Sequence, residues 1–393
     1  MNIITTAHAL RAANTLKSSS AASVGCLRKN NTHCRIMHAF QLATLMLGLQ
    51  LSIVCHALDV DPGDYTPMPD GTQLGLLYLQ HAERHDYYVR GNQLSDKYNL
   101  YSDVSILRGV SYQAFAGVLT NIQLLLPFGH LSAGGDIKGM GSESGMGDPI
   151  LANAVWIHQD PSTNRALAFT QYLFLPVGDY NKNKELNIGE NRWKYVLQGG
   201  YMHGIGSRVI LDFVADVTFF GDNDRYSSRD LTLKQDPQYQ MQGFIRYMFS
   251  ERAAMHVGYS RLWGGQRKVD GTELEDESRQ AKIMLGGSYF VTPKTQLLAT
   301  LGRDLSVEMA SRKSLASIFD CFTYSKSLSN AGYARKISED ITRAVAWQAS
   351  LRCENHFSQP LYGRPAVAVF FAGRETFATL NPCKSSRSRF IPI

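Results

Sequence analysis

His81, Glu83 and His85 place two imidazoles and a carboxylate within five residues. On a helix the i, i+4 spacing of the histidines would suit a metal. The surrounding residues alternate with a period of two, however, and on a strand the two rings stand too far apart to chelate easily. They are expected as flexible side chains at a rim. His256 and Ser260 share one face of another alternating stretch, as a hydrolytic pair would, but no acid is placed to complete it. The glycine-rich run GHLSAGGDIKGMGSESGMGD at 129–148 lacks the Gly-Lys-Ser/Thr ending of a phosphate loop. It is expected as a mobile loop able to fold inward, with Asp136, Glu143 and Asp148 solvated. Glu273, Glu275, Asp276 and Glu277 form a second acidic loop, for which solvation is expected ahead of divalent-ion bridging to lipopolysaccharide. These groups imply no catalytic residue, no metal and no cofactor.

The elements that carry them are more informative. Val209, Leu211, Phe213, Ala215, Val217 and Phe219 point to one side of a single strand, while Asp212, Asp216 and Thr218 share the other with Ile210, Val214 and Phe220. Asn121 and Gln123 alternate with Ile122 and Leu124, and Gln240, Gln242 and Arg246 alternate with Met241, Ile245 and Tyr247. A soluble sheet would turn the greasy face to a core, and a membrane barrel would turn it to lipid.

Strand length and spacing favour the barrel. Candidate strands run over 72–88, 99–110, 111–126, 149–159, 165–177, 193–203, 208–220, 239–249, 253–263, 279–290 and 295–303. Most exceed the ~5–6 residues usual in soluble sheets and approach the ~9–11 of a spanning strand. Short turns such as GIGS at 204–207 alternate with long connections at 129–148, 178–192, 221–238 and 264–278. Aromatic residues gather at strand ends, among them Trp193, Phe219, Phe249, Tyr259, Trp263 and Tyr289, as interfacial girdles require. The fold class predicted is all-β, an antiparallel transmembrane β-barrel of about twelve strands.

Charge and cysteine divide the 393 residues into three parts. Residues 1–57 hold five basic residues and no acid, residues 309–393 hold twelve basic and five acidic, and the middle holds 23 basic against 29 acidic. An acidic middle is not that of a nucleic-acid binder. All six cysteines lie outside it, at Cys26, Cys34, Cys55, Cys321, Cys353 and Cys383. Residues 1–36 read as an unstructured extension and 37–57 as a signal peptide, with Arg28, Lys29 and Arg35 ahead of an apolar run and a cut after Ala57. An acidic, Pro-rich lead, DVDPGDYTPMPDG, then opens the barrel region, 58–308. Met309 onward turns basic and loses the alternation. That tail is expected to be foreign to the fold, out of frame or fused, leaving eleven strands and a lost closing strand. The competing expectation draws a twelfth strand from 366–377.

Four fragments, GMGDPILANAVW (145–156), LFLPVGDYN (173–181), NIGENRW (187–193) and GYSRLWGG (258–265), occur in this order on the strand background. Together they resemble the bacterial family associated with the meta-pathway of phenol degradation, over about residues 58–308. The resemblance implies a Gram-negative outer-membrane transporter for small hydrophobic or aromatic solutes, and not a ring-cleaving enzyme. It implies no catalytic residues. The fragments themselves are expected as rim-forming loops: Pro149 starts a strand where no ladder donor is lost, and Gly178 relaxes a turn.

On this reading the substrate pathway is lined by Asn121, Gln123, Asp212, Asp216, Gln240, Gln242, Arg246 and His256, with Phe115, Phe220 and Phe244 as interior stacking surfaces. The partners implied are outer-membrane lipid, the solutes themselves and the barrel-assembly machinery. Two other classes compete: a barrel enzyme acting on lipid, and a soluble or structural periplasmic β protein.

Overall fold

The structure is a computed structural model, and it describes residues 59–89, 91–274, 276–308 and 310–326. Twelve antiparallel strands form the wall: β1 (Thr72–Val89), β2 (Tyr98–Phe115), β3 (Val118–Gly135), β4 (Ile150–Asp160), β5 (Arg165–Phe174), β6 (Lys194–Ile205), β7 (Val209–Phe220), β8 (Gln238–Met248), β9 (Ala253–Gly264), β10 (Ser278–Thr292), β11 (Thr295–Val307) and β12 (Ala310–Lys326). Each pairs with its sequence neighbour, and β12 pairs with β1 from Thr72↔Lys326 to Tyr88↔Ala310, which closes the sheet and leaves no edge. Twelve strands about 4.8 Å apart and tilted roughly 40° enclose a backbone diameter of about 24 Å.

The closing strand corrects the expectation of a lost stave. Arg312, Lys313 and Cys321 give β12 an uncharacteristic composition, but its pairing is dictated by two neighbours, β1 and β11. The barrel therefore extends past 308, to Lys326, and the alternative strand at 366–377 lies outside the described residues, as do the signal segment and the extension before it. A second correction concerns β2 and β3. They meet at Ala116–Gly117, where both residues take positive φ (49° and 82°), and not at Val110–Ser111. Two consecutive left-handed residues make the tight turn that matches strand twist.

Burial settles the direction of the faces. Asn121, Gln123, Thr170, Gln198, Asp212, Asp216, Gln240, Gln242 and His256 are buried on the inside. Ile122, Leu124, Phe169, Leu197, Phe213, Met241, Ile245, Val257 and Leu285 are exposed on the outside. This is a soluble protein turned inside out, the arrangement a lipid surround selects. From Tyr239 on β8 to Phe249 just past its end, both exposed aromatics, the apolar belt rises about 25 Å, close to the height of the hydrocarbon layer. A soluble periplasmic sheet would expose the other face.

The two rims differ. At one, turns of a few residues follow β2, β4, β6, β8 and β10. At the other, β1–β3 are 18 residues each while β4–β9 are 10–12, and long segments fold over the shorter side. The glycine-rich run is not a loose loop: β3 continues to Gly135, a 3-10 turn follows at Lys138–Met140, and Ser142–Met146 pairs back onto β3. Short strands Asn223–Tyr226, Leu231–Gln235, Arg267–Val269 and Thr272–Glu273 form a separate four-stranded sheet from two other long connections. There Asp276 binds Arg267, so that acidic loop is not merely solvated.

Candidate functional site

Inside the wall, inward residues fall into rows set by strand register. Gln198, Asp216 and Gln240 lie opposite one another on β6, β7 and β8. Below them come Val214, Gln242, Ser260 and Lys282 on β7–β10, and further toward the short-turn rim Ile210, Arg246 and His256 on β7–β9. The Arg246 guanidinium grips Asp212 in a two-pronged pair, Nε to Oδ2 at 2.6 Å and Nη2 to Oδ1 at 2.9 Å. Arg108 Nε donates to Gln123 Oε1 at 2.9 Å, and Gln123 Nε2 donates to Asn121 Oδ1 at 2.9 Å. His256 Nε2 meets Thr300 Oγ1 at 3.0 Å, while Ser260 Oγ accepts from Gln240 Nε2 at 2.9 Å. The two residues of the suspected hydrolytic pair thus have other partners.

The opposite arc of the lumen is aromatic. Tyr78, Tyr112, Trp156, Tyr172 and Phe174 on β1, β2, β4 and β5 are all buried inward, and the Tyr112 and Trp156 rings lie 5.4 Å apart. None of them was among the expected pathway residues, although each shares its period-two face with an inward neighbour such as Arg108 or Ala154. Phe244 is buried on the lumen side, edge-on to His256 at 6.3 Å. Phe115 is not. It ends β2 beside the Ala116–Gly117 turn and is 78% exposed, because β2 continues past 110 and carries it out to the rim. Phe220 lies under the Arg192 guanidinium, 4.6 Å from its ring centre.

The acidic lead turns out to be the lumen's occupant. Residues 59–71 leave the short-turn rim at Asp70, which accepts a hydrogen bond from the Ala114 amide, and run up the inside. Asp64 bridges to Arg108 (3.1 Å), and Asp59 reaches Lys282 (2.5 Å) and accepts from Gln240 Nε2 (3.0 Å). Tyr65 donates to Gln198 Oε1 at 2.8 Å, and its carbonyl accepts from Trp156 Nε1 at 3.1 Å. The Val60 amide donates to Gln242. Glycine at position 200 makes room: a Cβ there would fall 2.2 Å from the Tyr65 ring. The sequence clue is complementarity, the carboxylates of Asp59 and Asp64 facing two lumen cations, Lys282 and Arg108, that belong to two distant strands.

The other mouth is covered by 175–193, and here three of the four quoted fragments, 145–156, 173–181 and 187–193, meet. Asp148 accepts from the Gly178 amide (3.0 Å) and the Glu190 amide (2.9 Å), and Asp179 accepts from the Met146 amide (2.7 Å). The Glu190 carboxylate holds Arg192 (2.6 Å) and Lys194 (2.5 Å), all three at most 4% exposed. Burial pushes the Glu190 carboxyl up, but Lys194 and Arg192 outweigh it and hold it down at about 2. From this anchor Leu186 and Ile188 reach the tall wall and pack with Tyr98, Leu100 and Leu131. The expectation of simple rim loops missed this cap, since its bonds join segments 30 to 42 residues apart.

His81 and His85 both meet Glu83, at 3.2 and 3.3 Å, and His81 also meets Asp103 at 2.7 Å. Among the described residues no group of three or more His, Cys, Asp or Glu is arranged to hold a metal ion.

A family profile described as "Putative MetA-pathway of phenol degradation" matches residues 86–318. Among solved structures, the chain is similar to an outer membrane channel from Pseudomonas putida F1, at 34% identity and a TM-score of 0.66, covering 68% of this chain and 100% of that one. Weaker likenesses include the β domain of the Bordetella autotransporter BrkA (11% identity, TM-score 0.42, 64% and 98% covered). The Pseudomonas putida toluene transporter TodX is another (10% identity, TM-score 0.35, 69% and 93% covered). At those scores neither enters the argument. No curated protein matches the chain.

Proposed function

The chain belongs to the family of the MetA pathway of phenol degradation, and on that premise we propose an outer-membrane channel for passive uptake of small hydrophobic or aromatic compounds. The observation that carries the proposal is the two-sided lumen. One arc offers the rings of Tyr78, Tyr112, Trp156 and Tyr172, and the facing arc offers Asp216, Gln240 and Gln242, with Asp216 Oδ1 and Gln240 Oε1 free of protein partners among the described residues. When 59–71, which packs on these rings, draws aside, a flat apolar solute can stack on the first while water stays on the second, so neither surface is stripped without replacement. The similarity to a solved outer membrane channel supports the same reading. In it, Asn121, Gln123, Asp212, Asp216, Gln240, Gln242, Arg246, His256 and Phe244 line the pathway, and 59–71 narrows it. Export by the segment at 37–57 and insertion by the barrel-assembly machinery belong to the proposal too.

The test is solute flux into vesicles. Proteoliposomes holding the full chain are expected to admit a monocyclic aromatic solute faster than a sugar of similar size. Tyr112→Ala with Trp156→Ala should erase the preference while the barrel keeps its heat-modifiable mobility. Equal rates for both solutes in the unaltered protein would rule the aromatic pathway out.

A further inference from the structure

Lipid-facing strand surfaces here are mostly apolar, and their charged groups fall into two clusters: His81, Glu83, His85 and Asp103 on β1 and β2, which bond to one another, and a second whose wall residues are all cations. Arg261 on β9, Arg279 on β10 and Arg303 on β11 all project outward and are exposed, on three consecutive strands, toward the long-connection end. Register fixes their arrangement. Arg261 lies opposite Ala281 and Arg279 opposite Trp263, which makes the two arginines diagonal neighbours. Arg303 lies opposite Ile283, two strands and two residues from Arg261, or about 12 Å away. Arg303 is flanked along its face by Leu301 and Leu305, both about half exposed. Trp263 stacks on Tyr239 at 5.9 Å beside Arg261, placing the group at an aromatic girdle.

A guanidinium among lipid-facing leucines is unfavourable unless an anion meets it. Arg279 has carboxylates nearby, Glu277 at 3.3 Å and Glu308 at 3.5 Å, all exposed. Arg261 and Arg303 have no ion pair among the described residues. Elsewhere the described outward arginines of the wall, such as Arg165, sit at strand ends.

We propose that the outer face of β9–β11 is a binding site for the phosphorylated glycolipid of the outer leaflet. Its phosphates would be taken by Arg261, Arg279 and Arg303, and its sugar would rest on the Tyr239–Trp263 stack. The long-connection rim is the outer one in such barrels, so these arginines lie at the depth of outer-leaflet headgroups. Guanidinium forks match phosphate oxygens in pairs. Their spread along the wall suits a headgroup with phosphates at both ends of a disaccharide, and exceeds what one glycerol phosphate can bridge. The site lies outside the lumen and does not depend on what the channel passes.

Native mass spectrometry of the full chain extracted from outer membranes in mild detergent tests it. The unaltered protein should retain a lipid A-bearing adduct, and Arg261→Gln with Arg303→Gln should retain it about tenfold less. Arg165→Gln, at the opposite rim, should retain it fully. Equal retention in all three proteins, no adduct in the unaltered one, or a retained glycerophospholipid in place of the glycolipid would each overturn the assignment. Should the double variant fail to fold, melting of the unaltered protein decides the matter. Bisphosphorylated lipid A should raise its melting temperature and the dephosphorylated lipid should not, and equal shifts would contradict the site.

Discussion

Removing residues 59–68 is expected to convert a nearly silent barrel into one that conducts steadily, with a single-channel conductance raised at least about tenfold in planar bilayers. The reasoning is geometric. A twelve-strand lumen about 24 Å across at the backbone leaves room for one extended chain plus side chains and little else. That room is taken by Val60, Tyr65 and the carboxylates of Asp59 and Asp64. The wall does not need them for closure, because all twelve pairings are strand to strand. Deletion leaves Arg108 and Lys282 without those carboxylates in a lumen that water can then enter, so anions should be favoured over cations in the open variant. A variant that folds and still shows the original conductance would show that the occupant lies elsewhere.

The second large effect concerns the cap. Glu190→Gln leaves Arg192 and Lys194 buried with one neutral amide between them, and losing one partner of a buried ion pair costs about 3–5 kcal/mol. Denaturant unfolding in vesicles should report that loss, and protease should reach 175–193 sooner. The pH dependence has a definite sign. Glu190 is held at about 2 in the folded protein against about 4.3 in an unfolded chain, so its contribution is complete above the unfolded value. It disappears as pH falls through the folded value. Stability of the unaltered protein should therefore fall between about pH 5 and pH 2 more steeply than that of Glu190→Gln. Parallel curves would mean the network contributes nothing.

Much of the wall was legible because a strand's faces follow from parity alone. Asp212, Asp216, Gln240, Gln242, Arg246 and His256 needed only one correct period to be assigned to the lumen side. Phe115 departs by the same rule in reverse: the turn lies six residues later than the pattern predicts, so Phe115 belongs to β2, on the parity opposite to the inward Arg108, Val110 and Tyr112. β12 was hidden because its own composition is poor in alternation, and its conformation comes from β1 and β11. The lumen segment and the cap were illegible for a stronger reason. Asp64 with Arg108, Asp59 with Lys282 and Asp148 with Glu190 are joined across 44, 223 and 42 positions, which no local pattern records. Even so, three of the four fragments that carry the family resemblance hold the cap's hydrogen-bonding residues, so motifs that look like loop chemistry mark a tertiary network.

The central claim is that solute passes through the lumen and that 59–71 governs its passage. Tyr65 and Gly200 allow a direct trial. Tyr65 Cγ lies 2.4 Å from a Cβ built on Gly200, which brings the two Cβ atoms into the roughly 3.5–4.5 Å range of a disulfide. Tyr65→Cys with Gly200→Cys, with the native cysteines replaced by serine, should lock the segment to the wall on oxidation. Flux of a monocyclic aromatic solute into vesicles should fall to background when the disulfide is formed and return on reduction. Unchanged flux with the disulfide verified by thiol labelling would contradict the account.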